Sequence, residues 1–264
     1  MRPETLQILC DPFSHQSLEH IVAQSGEYLV PTDRQRRYQI RDGVAIFTDT
    51  GQLEGLNLKY QRFYDRIAFF YDLYVKAMAA ILRRRPWRAA RGELSAAVGE
   101  LRPSDRLFEV GIGTGLNLEV FSREVQYYGV DISWNMLRRC RLRAIRLDRP
   151  VELFMAEAEA LPFKQASFDA VFTVGGFNFF RDKRASIGEF IRVARPGTKV
   201  VIVDETAKHV RTVYRRTPIA RGTFKGQMED ACAPPIDLVP QDMADKRCEL
   251  LWDGRFYCVS FAKP

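Results

Sequence analysis

The chain has 264 residues, of which 46% are hydrophobic and 12% aromatic, so it is long enough to bury a large core and to carry a small additional domain. It contains no apolar run long enough to cross a bilayer, and its first residues lack the continuous apolar segment of a secretory signal, so we expect a cytoplasmic protein. The net charge of +7 suits an anionic partner. The five cysteines are scattered and none forms a C-x-x-C pair, which argues against a disulfide framework and against a cysteine-rich zinc site.

The first 50 residues differ from the rest of the chain. Their short apolar runs, separated by turn residues such as Asp42-Gly43, are Tyr28–Val30, Tyr38–Ile40 and Val44–Phe47. This pattern predicts a small β-rich domain over residues 1–50. A polar linker follows at residues 51–57, and we expect a second domain over residues 58–264.

From Asp105 onwards the chain alternates between strand and helix patterns. The predicted strands are Arg106–Val110, Gln126–Val130, Val151–Met155, Phe168–Val174 and Lys199–Asp204. Such alternation predicts an α/β fold with a doubly wound, Rossmann-like sheet. Two further strands, Cys248–Trp252 and Arg255–Phe261, flank Asp253-Gly254 and predict a β-hairpin. We therefore expect a seven-stranded, mainly parallel sheet that ends in an antiparallel hairpin.

Arginine-rich stretches lie at Arg83–Arg91 and Arg138–Arg149. A basic surface of this kind suits nucleic acid, an anionic lipid face or an acidic substrate. In the second stretch, however, Leu137, Leu142 and Ile145 recur at roughly helical spacing. We therefore interpret its arginines as the solvated face of an amphipathic helix, with nucleic acid as a less favoured partner.

A glycine-rich loop follows the first strand of the second domain. Glu109-Val110-Gly111-Ile112-Gly113-Thr114-Gly115 is an E-x-G-x-G-x-G pattern, and a helix is predicted from about Leu116. Glycines let the backbone turn tightly and approach a ligand, and a helix N-terminus favours anionic groups. Asp131, at the end of the next strand, is placed to accept both hydroxyls of a ribose. Because the third glycine comes one residue earlier than in G-x-G-x-x-G, the spacing departs from the dinucleotide-binding fingerprint.

These motifs resemble class I S-adenosylmethionine-dependent methyltransferases of the ubiquinone/menaquinone C-methyltransferase-like branch. Further segments carry the same resemblance: Ala156–Phe163 (AEAEALPF) with Ser167–Val171 (SFDAV), Phe63–Asp72, and Arg192–Gly197 (RVARPG). The resemblance implies S-adenosylmethionine as cofactor, with Glu157 near the adenine amino group and Tyr71 as a wall of the site. The cofactor-binding residues it implies are Tyr71, Glu109, Gly111, Gly113, Gly115, Asn117, Asp131, Ile132, Met136, Glu157, Ala158, Val174 and Gly175.

The N-terminal residues resemble the small zinc-ribbon-like domain of the tRNA-methyltransferase activator family, through Leu6–Pro12 (LQILCDP) and Tyr38–Phe47 (YQIRDGVAIF). Cys10 is retained, but Phe13 replaces the second ligand and the later cysteine pair is missing. Tetrahedral zinc needs four ligands. His15 and His20 are expected at the surface, so we predict a metal-free domain.

Methyl transfer is an in-line displacement in which the enzyme mainly supplies alignment and a dry pocket. After the fourth strand, Val174–Phe180 (VGGFNFF) predicts an aromatic wall in which Asn178 is the polar group, which suits a small aromatic or apolar acceptor methylated on carbon or oxygen. Asp204, Glu205 and His209 follow the fifth strand, where a general base belongs. The alternatives are an RNA methyltransferase and a non-catalytic module that binds a cofactor and a partner protein. A homodimer is compatible with the sequence.

Overall fold

A computed structural model describes residues 1–48, 58–59, 61–62, 65–66, 68, 87–216 and 232–264. The first part contains one helix and four antiparallel strands. They are α1 (Pro3–Ile8), β1 (Leu18–Ala23), β2 (Gly26–Pro31), β3 (Tyr38–Arg41) and β4 (Val44–Ile46). The apolar runs of this part are thus strands, as their separation by turn residues predicts.

In the second part, the described residues form seven strands: β5 (Arg106–Val110), β6 (Gln126–Asp131), β7 (Val151–Met155), β8 (Phe168–Val174), β9 (Ala194–Glu205), β10 (Ala244–Leu251) and β11 (Phe256–Ala262). Its helices are α2 (Trp87–Val98), α3 (Trp134–Arg146), α4 (Lys183–Val193) and α5 (Ala207–Arg216). Short 3-10 helices lie at Leu116–Glu119, Phe177–Phe179 and Pro235–Leu238.

All eleven strands join in one sheet, in the order β1-β2-β3-β4-β7-β6-β5-β8-β9-β11-β10. Strands β7, β6, β5, β8 and β9 are parallel, and the β10–β11 hairpin adds antiparallel strands at one end. The predicted Rossmann-like sheet of seven strands with a C-terminal hairpin is therefore confirmed. At the hairpin turn, Trp252, Asp253 and Gly254 all have positive φ angles, which suits the Asp-Gly pair that predicts it.

The N-terminal strands continue the main sheet, because β4 pairs in parallel with β7 through Ala45–Phe154 and Ile46–Met155. The N-terminal residues Ile8, Leu9 and Leu29 also share a hydrophobic core with Phe108 and Phe163 of the second part. The division of the chain into two domains, at residues 1–50 and 58–264, stays a prediction.

The central strands are buried on both faces. Leu107 and Phe108, neighbours in β5, belong to two different hydrophobic clusters, one on each side of the sheet. On the Phe108 side, its ring stacks on Phe168 with the centroids 4.4 Å apart, and Phe163 packs edge-on against both. Such burial on two faces explains why the parallel strands are continuous apolar runs rather than alternating ones.

The helix prediction after the glycine loop is wrong, whereas the predicted amphipathic helix is present as α3, with Arg138, Arg141 and Arg146 exposed. The helix expected from about Leu116 is only the four-residue 3-10 helix Leu116–Glu119, so no long helix dipole points at the glycine loop. In α3, Leu142 and Ile145 are exposed, whereas the core face is formed by Met136, Leu137, Cys140, Arg143 and Ala144. The buried residues follow helical spacing, but their face is turned away from the aliphatic pair. Among the described residues, no helix is long and apolar enough to cross a membrane.

Candidate functional site

The site lies where the parallel strands β5, β6, β8 and β9 end. Since carboxyl ends of neighbouring parallel strands meet at one sheet edge, the loops after these strands gather there. They carry the glycine loop after β5, Asp131 at the end of β6, the Val174–Phe180 wall after β8 and Glu205 at the end of β9. The edge is the one that the sequence motifs predict.

The three glycines of the loop have different neighbours. Gly111, Gly113 and Gly115 have φ angles of +72°, +55° and +74°, which side chains rarely adopt. At Gly115, an added Cβ would lie 2.7 Å from the Cys140 Sγ atom, so this glycine allows the loop to pack on α3. At Gly113, an added Cβ would meet no atom within 4 Å. Gly113 thus faces open space, as a ligand-facing position requires.

Asp131 is tied directly to this loop. Its Oδ2 atom accepts a hydrogen bond from the Gly113 N–H at 2.8 Å, and its Oδ1 atom accepts one from the Ser133 N–H at 2.9 Å. Burial raises the pKa of the Asp131 carboxyl to about 6, although these two N–H donors favour its charged form. At neutral pH the group is therefore mainly a carboxylate, with lone pairs left to accept further hydroxyls.

Glu109 lies beneath the loop rather than at its open side. It is 1% exposed, and its two carboxyl oxygens accept hydrogen bonds from the Asn117 amide and the Tyr127 hydroxyl, both at 2.6 Å. Burial raises the pKa of Glu109 to about 8. Glu109, Asn117 and Tyr127 thus form a buried polar support under the glycine loop, and the sequence motif identifies the first two but not Tyr127.

The remaining residues implied by the resemblance surround the same edge. Ile132, Val174 and Gly175 are partly exposed, and an added Cβ at Gly175 would meet no atom within 4 Å. Met136 and Ala158 are buried. The Glu157 carboxylate is partly exposed, 3.9 Å from the guanidinium of Arg181. Tyr71 lies outside the described residues. The binding roles of all these residues stay predictions.

Two buried polar atoms near the loop have no hydrogen-bond partner among the described residues, namely Thr173 Oγ1 and Asn117 Oδ1. Thr173 Oγ1 lies 3.9 Å from where a Cβ on Gly111 or Gly176 would stand. Buried polar atoms are seldom left unpaired in proteins. Together with the open space over Gly113 and Gly175, the unpaired Thr173 Oγ1 fits a polar ligand that lies along the carboxyl ends of β5 and β8.

The predicted catalytic residues lie together at the end of β9. His209 Nε2 is 3.5 Å from Glu205 Oε1, and His209 is buried against the ring of Phe256. The Asn178 amide donates to the Glu205 carbonyl at 3.0 Å, and its Oδ1 atom accepts from the Tyr257 hydroxyl at 2.7 Å. The structure brings Asn178, Glu205 and His209 together, but both polar atoms of the Asn178 side chain bond within the protein.

Asp204, which was predicted with Glu205 and His209 as a candidate base after the fifth strand, also lies in this cluster, whereas Tyr257 was not predicted. The buried Asp204 carboxylate accepts hydrogen bonds from the N–H groups of Asn178 and Glu205, both at 2.7 Å, and burial raises its pKa to about 6. Tyr257 comes from the C-terminal hairpin. The signal for Asp204 is its place at the end of a buried strand, but no local pattern connects Tyr257 with Asn178, which precedes it by 79 residues.

Asp65 is a second residue that was not predicted for the site. Its Oδ1 atom accepts hydrogen bonds from the Ser133 hydroxyl at 2.5 Å and from the Asn135 N–H at 3.1 Å. Ser133 also accepts from the Met136 N–H and caps α3. Asp65 therefore connects its segment to the residues that directly follow Asp131. Its position within the Phe63–Asp72 motif is the signal that identifies it.

The N-terminal residues that resemble a zinc ribbon are organised around Asp11. Its Oδ1 atom accepts from the N–H groups of Phe13 and Ser14, and its Oδ2 atom accepts from the Tyr38 hydroxyl at 2.6 Å. Cys10 is buried, whereas His15 and His20 are exposed. Among the described residues, no three His, Cys, Asp or Glu side chains group together as metal ligands do. The absence of zinc stays a prediction.

Comparison with known proteins connects this site with one family. Residues 108–202 match the family model described as "Methyltransferase domain". The phosphatidylethanolamine N-methyltransferase of Cereibacter sphaeroides is 35% identical over 105 residues, which cover 39% of this chain and 52% of that protein. A ubiquinone/menaquinone biosynthesis C-methyltransferase of Syntrophotalea carbinolica is 28% identical over 144 residues, covering 53% of this chain and 59% of that protein. The chain thus spans only about half the length of these two relatives.

A solved structure with the same fold is the Haemonchus contortus phosphoethanolamine N-methyltransferase 2, in complex with phosphomonomethylethanolamine and S-adenosylhomocysteine. It is 16% identical, has a TM-score of 0.58, and the alignment covers 81% of this chain and 61% of that one. At this identity the likeness shows the fold alone. The fold, the residues that match the family model and the glycine loop all indicate a methyltransferase domain.

Proposed function

We propose that this chain, whose residues 108–202 form a class I methyltransferase domain, transfers the methyl group of S-adenosylmethionine to a small acceptor of aromatic or apolar character. The observation that carries the proposal is the contact between Asp131 and Gly113, which fixes a carboxylate beside a loop that is open above Gly113. A ribose with two hydroxyl groups is a chemical match for that carboxylate.

The residues present fit this cofactor. We assign Asp131 to the ribose hydroxyls, Gly113 and Gly175 to the backbone surface on which the cofactor lies, and Glu157 to the adenine amino group. Thr173 Oγ1 offers a polar atom that still needs a partner. When bound, S-adenosylmethionine supplies an electrophilic methyl group on a sulfonium. The chain's own contribution is to hold that group in line with the acceptor and to exclude water.

The wall after β8 supports an apolar or aromatic acceptor. Phe177 is fully buried and packs edge-on against Phe180, with the ring centroids 5.5 Å apart. Phe180 is partly exposed, and its ring reaches to 3.9 Å from where a Cβ on Gly111 would stand. An aromatic surface therefore borders the glycine loop directly. Such a surface favours flat or apolar molecules over a phosphate backbone.

The Glu205–His209 pair is our candidate for accepting a proton from the acceptor. The two side chains lie within 3.5 Å of each other at the end of β9, and a carboxylate beside an imidazole orients the ring as a general base requires. We assign Asn178 a positioning role, since its amide holds the Glu205 carbonyl and its oxygen is bonded to Tyr257. The relatives named above are an N-methyltransferase and a C-methyltransferase, so their names leave the methylated atom open.

The test is transfer of label from S-adenosylmethionine in a fractionated cell extract. We expect label in the small-molecule fraction, and a Glu205→Gln/His209→Asn variant that still binds cofactor should transfer it more slowly. Label in RNA would favour the RNA methyltransferase instead. Tight cofactor binding without transfer to any fraction would favour a non-catalytic module.

A further inference from the structure

The outer face of α3 carries apolar and basic side chains together. Along this helix, Trp134, Arg138, Arg141, Leu142 and Ile145 follow one another at helical spacing and lie within about 100° of each other around the axis, at 3.6 residues per turn. The face opposite to them packs on β6 and β7. We call these five residues the α3 outer face.

The aliphatic residues of the α3 outer face are unusually open to solvent. Leu142 is 60% exposed and Ile145 is 65% exposed, one turn apart on the same side of the helix. Trp134 is partly exposed at the first turn, where the guanidinium of Arg41 lies 4.8 Å from the centre of its ring. Single exposed aliphatic residues are ordinary, but an exposed pair aligned with a tryptophan forms a stripe that something of matching chemistry would cover.

The charge on this helix has one sign. Trp134–Arg146 contains five arginines and no acidic residue. Arg138, Arg141 and Arg146 are exposed, and none of them makes a hydrogen bond or ion pair with the other described residues. The helix dipole accounts for a basic residue in the last turn, such as Arg146, but it disfavours Arg138 near the start, and arginines at i,i+3 repel. The stability of the helix therefore does not explain the pattern.

We propose that the α3 outer face docks the protein on an anionic phospholipid surface. Arginines that flank exposed Leu, Ile and Trp side chains are the chemistry of helices that lie in a membrane interface, with the charges on the phosphates and the apolar groups between acyl chains. Trp suits this position because its ring is apolar and its N–H is polar. The contact is reversible and peripheral, since only one helix face takes part.

The placement of this face gives docking a consequence for the proposed function, on which this step rests. α3 begins directly after Asp131 and Ser133, so the cofactor site lies at its first turn, about 12 Å along the axis from Leu142. A protein resting on α3 therefore holds the carboxyl edge of its sheet near the lipid surface. An acceptor that resides in the membrane would reach the site without crossing bulk water.

The test is sedimentation of the purified protein with vesicles of phosphatidylcholine alone, or of phosphatidylglycerol and phosphatidylcholine in equal parts. We expect binding to the anionic vesicles only, weakening as salt shortens the screening length. Arg138→Gln/Arg141→Gln should lower partitioning about 25-fold, since each arginine contributes about fivefold near an anionic leaflet. Leu142→Gln/Ile145→Gln should lower it about tenfold.

Matched controls share charge and exposure but lie elsewhere. Arg184→Gln/Arg247→Gln removes the same charge from other exposed sites, and Val22→Gln/Leu250→Gln replaces aliphatic residues that are 73% and 65% exposed on β1 and β10. Both should bind anionic vesicles like the unmodified protein. Equal loss in α3 variants and controls would overturn the proposal, because overall charge would then explain binding.

Other occupants of the α3 outer face give different results. If the unmodified protein does not sediment with anionic vesicles, lipid docking is overturned. Binding to tRNA that the α3 variants lose would then identify RNA as the occupant. A change in sedimentation coefficient in the α3 variants would identify a second copy of the chain. Vesicle binding needs no methyl transfer. A chain that sediments with vesicles yet transfers no methyl group would therefore refute the proposed function and leave the docking surface standing.

Discussion

Replacement of Asp131 by asparagine tests the cofactor site directly. Charge-assisted hydrogen bonds contribute about 1.5–3 kcal/mol each, and asparagine keeps one acceptor oxygen of two. The new amide N–H₂ must also face either the Gly113 N–H or the Ser133 N–H, which both donate. We expect the affinity for S-adenosylhomocysteine to fall by about 2–3 kcal/mol, or about 30- to 150-fold, as measured by calorimetry.

The pH dependence of the same affinity separates a binding role from a structural one. Because burial raises the pKa of Asp131 to about 6, the carboxylate is present above that value and is lost as the pH falls through it. Affinity should therefore decrease as the pH falls below about 6, by up to about tenfold per unit. In Asp131→Asn this decrease should disappear, since the group that titrates is gone.

Asp204→Asn is the matched control. Asp204 also accepts hydrogen bonds from two backbone N–H groups, and its pKa is also raised to about 6, but it lies at the end of β9. This variant should keep cofactor affinity within about threefold and should keep the pH dependence. Unchanged affinity in a folded Asp131→Asn protein, or equal losses in both variants, would refute the assignment of Asp131 to the ribose.

Three further results follow from the described contacts. Gly113→Ala should weaken cofactor binding more than tenfold, because its Cβ would enter the open space above the loop, and the φ angle of +55° should cost about 1–2 kcal/mol of stability. Gly115→Ala should instead mainly lower the melting temperature, because its Cβ would collide with atoms of the fold. The reverse ranking of the two variants would contradict both roles. Gly129→Ala should lower the free energy of unfolding by about 1–3 kcal/mol, measured by urea denaturation, because its Cβ would collide with a side chain of the glycine loop. Tyr38→Phe should destabilise the N-terminal part by about 1–3 kcal/mol, because the buried Asp11 carboxylate loses the hydrogen bond from the Tyr38 hydroxyl. Elemental analysis of the unmodified protein should find no zinc. One equivalent of zinc per chain would show that a metal holds this part.

The strands and the cofactor loop were predictable because their signals are local. Apolar runs bounded by turn residues identify β5 to β9, and the glycine spacing with Asp131 identifies the edge at which the site lies. The support under the loop was not predictable in the same way. Tyr127 reaches Glu109 only because β5 and β6 pair in a particular register, with Glu109 opposite Gly129. Strand register is a property of the assembled sheet, not of either segment.

The orientation of α3 shows a second limit of local patterns. Helical spacing relates Leu137 to Leu142 and Ile145 only loosely, and a stronger stripe of Met136, Leu137, Cys140 and Ala144 runs along the other side of the helix. Which stripe faces the core depends on the side chains and the free space that the helix meets on the sheet. Here the Cys140 side meets Gly115, whose missing side chain leaves room for it. The packing of the glycine loop on α3 at Gly115 therefore helps to decide which face of α3 is left for solvent.

The N-terminal part contacts the segment that follows Glu157 in the chain. The Cys10 N–H donates to the Pro162 carbonyl at 3.0 Å, and the Lys164 N–H donates to the Ile8 carbonyl at 2.8 Å. From the other side, Arg192 donates to the carbonyls of Leu161 and Phe163.

This double attachment fixes both ends of Leu161–Lys164, and with them the exit of the loop that carries Glu157. The N-terminal part also pairs with β7 through β4, and hydrogen bonds to the Asp11 carboxylate close the turn that follows Cys10. The N-terminal part is thus attached to the segment that directly follows Glu157 in the chain.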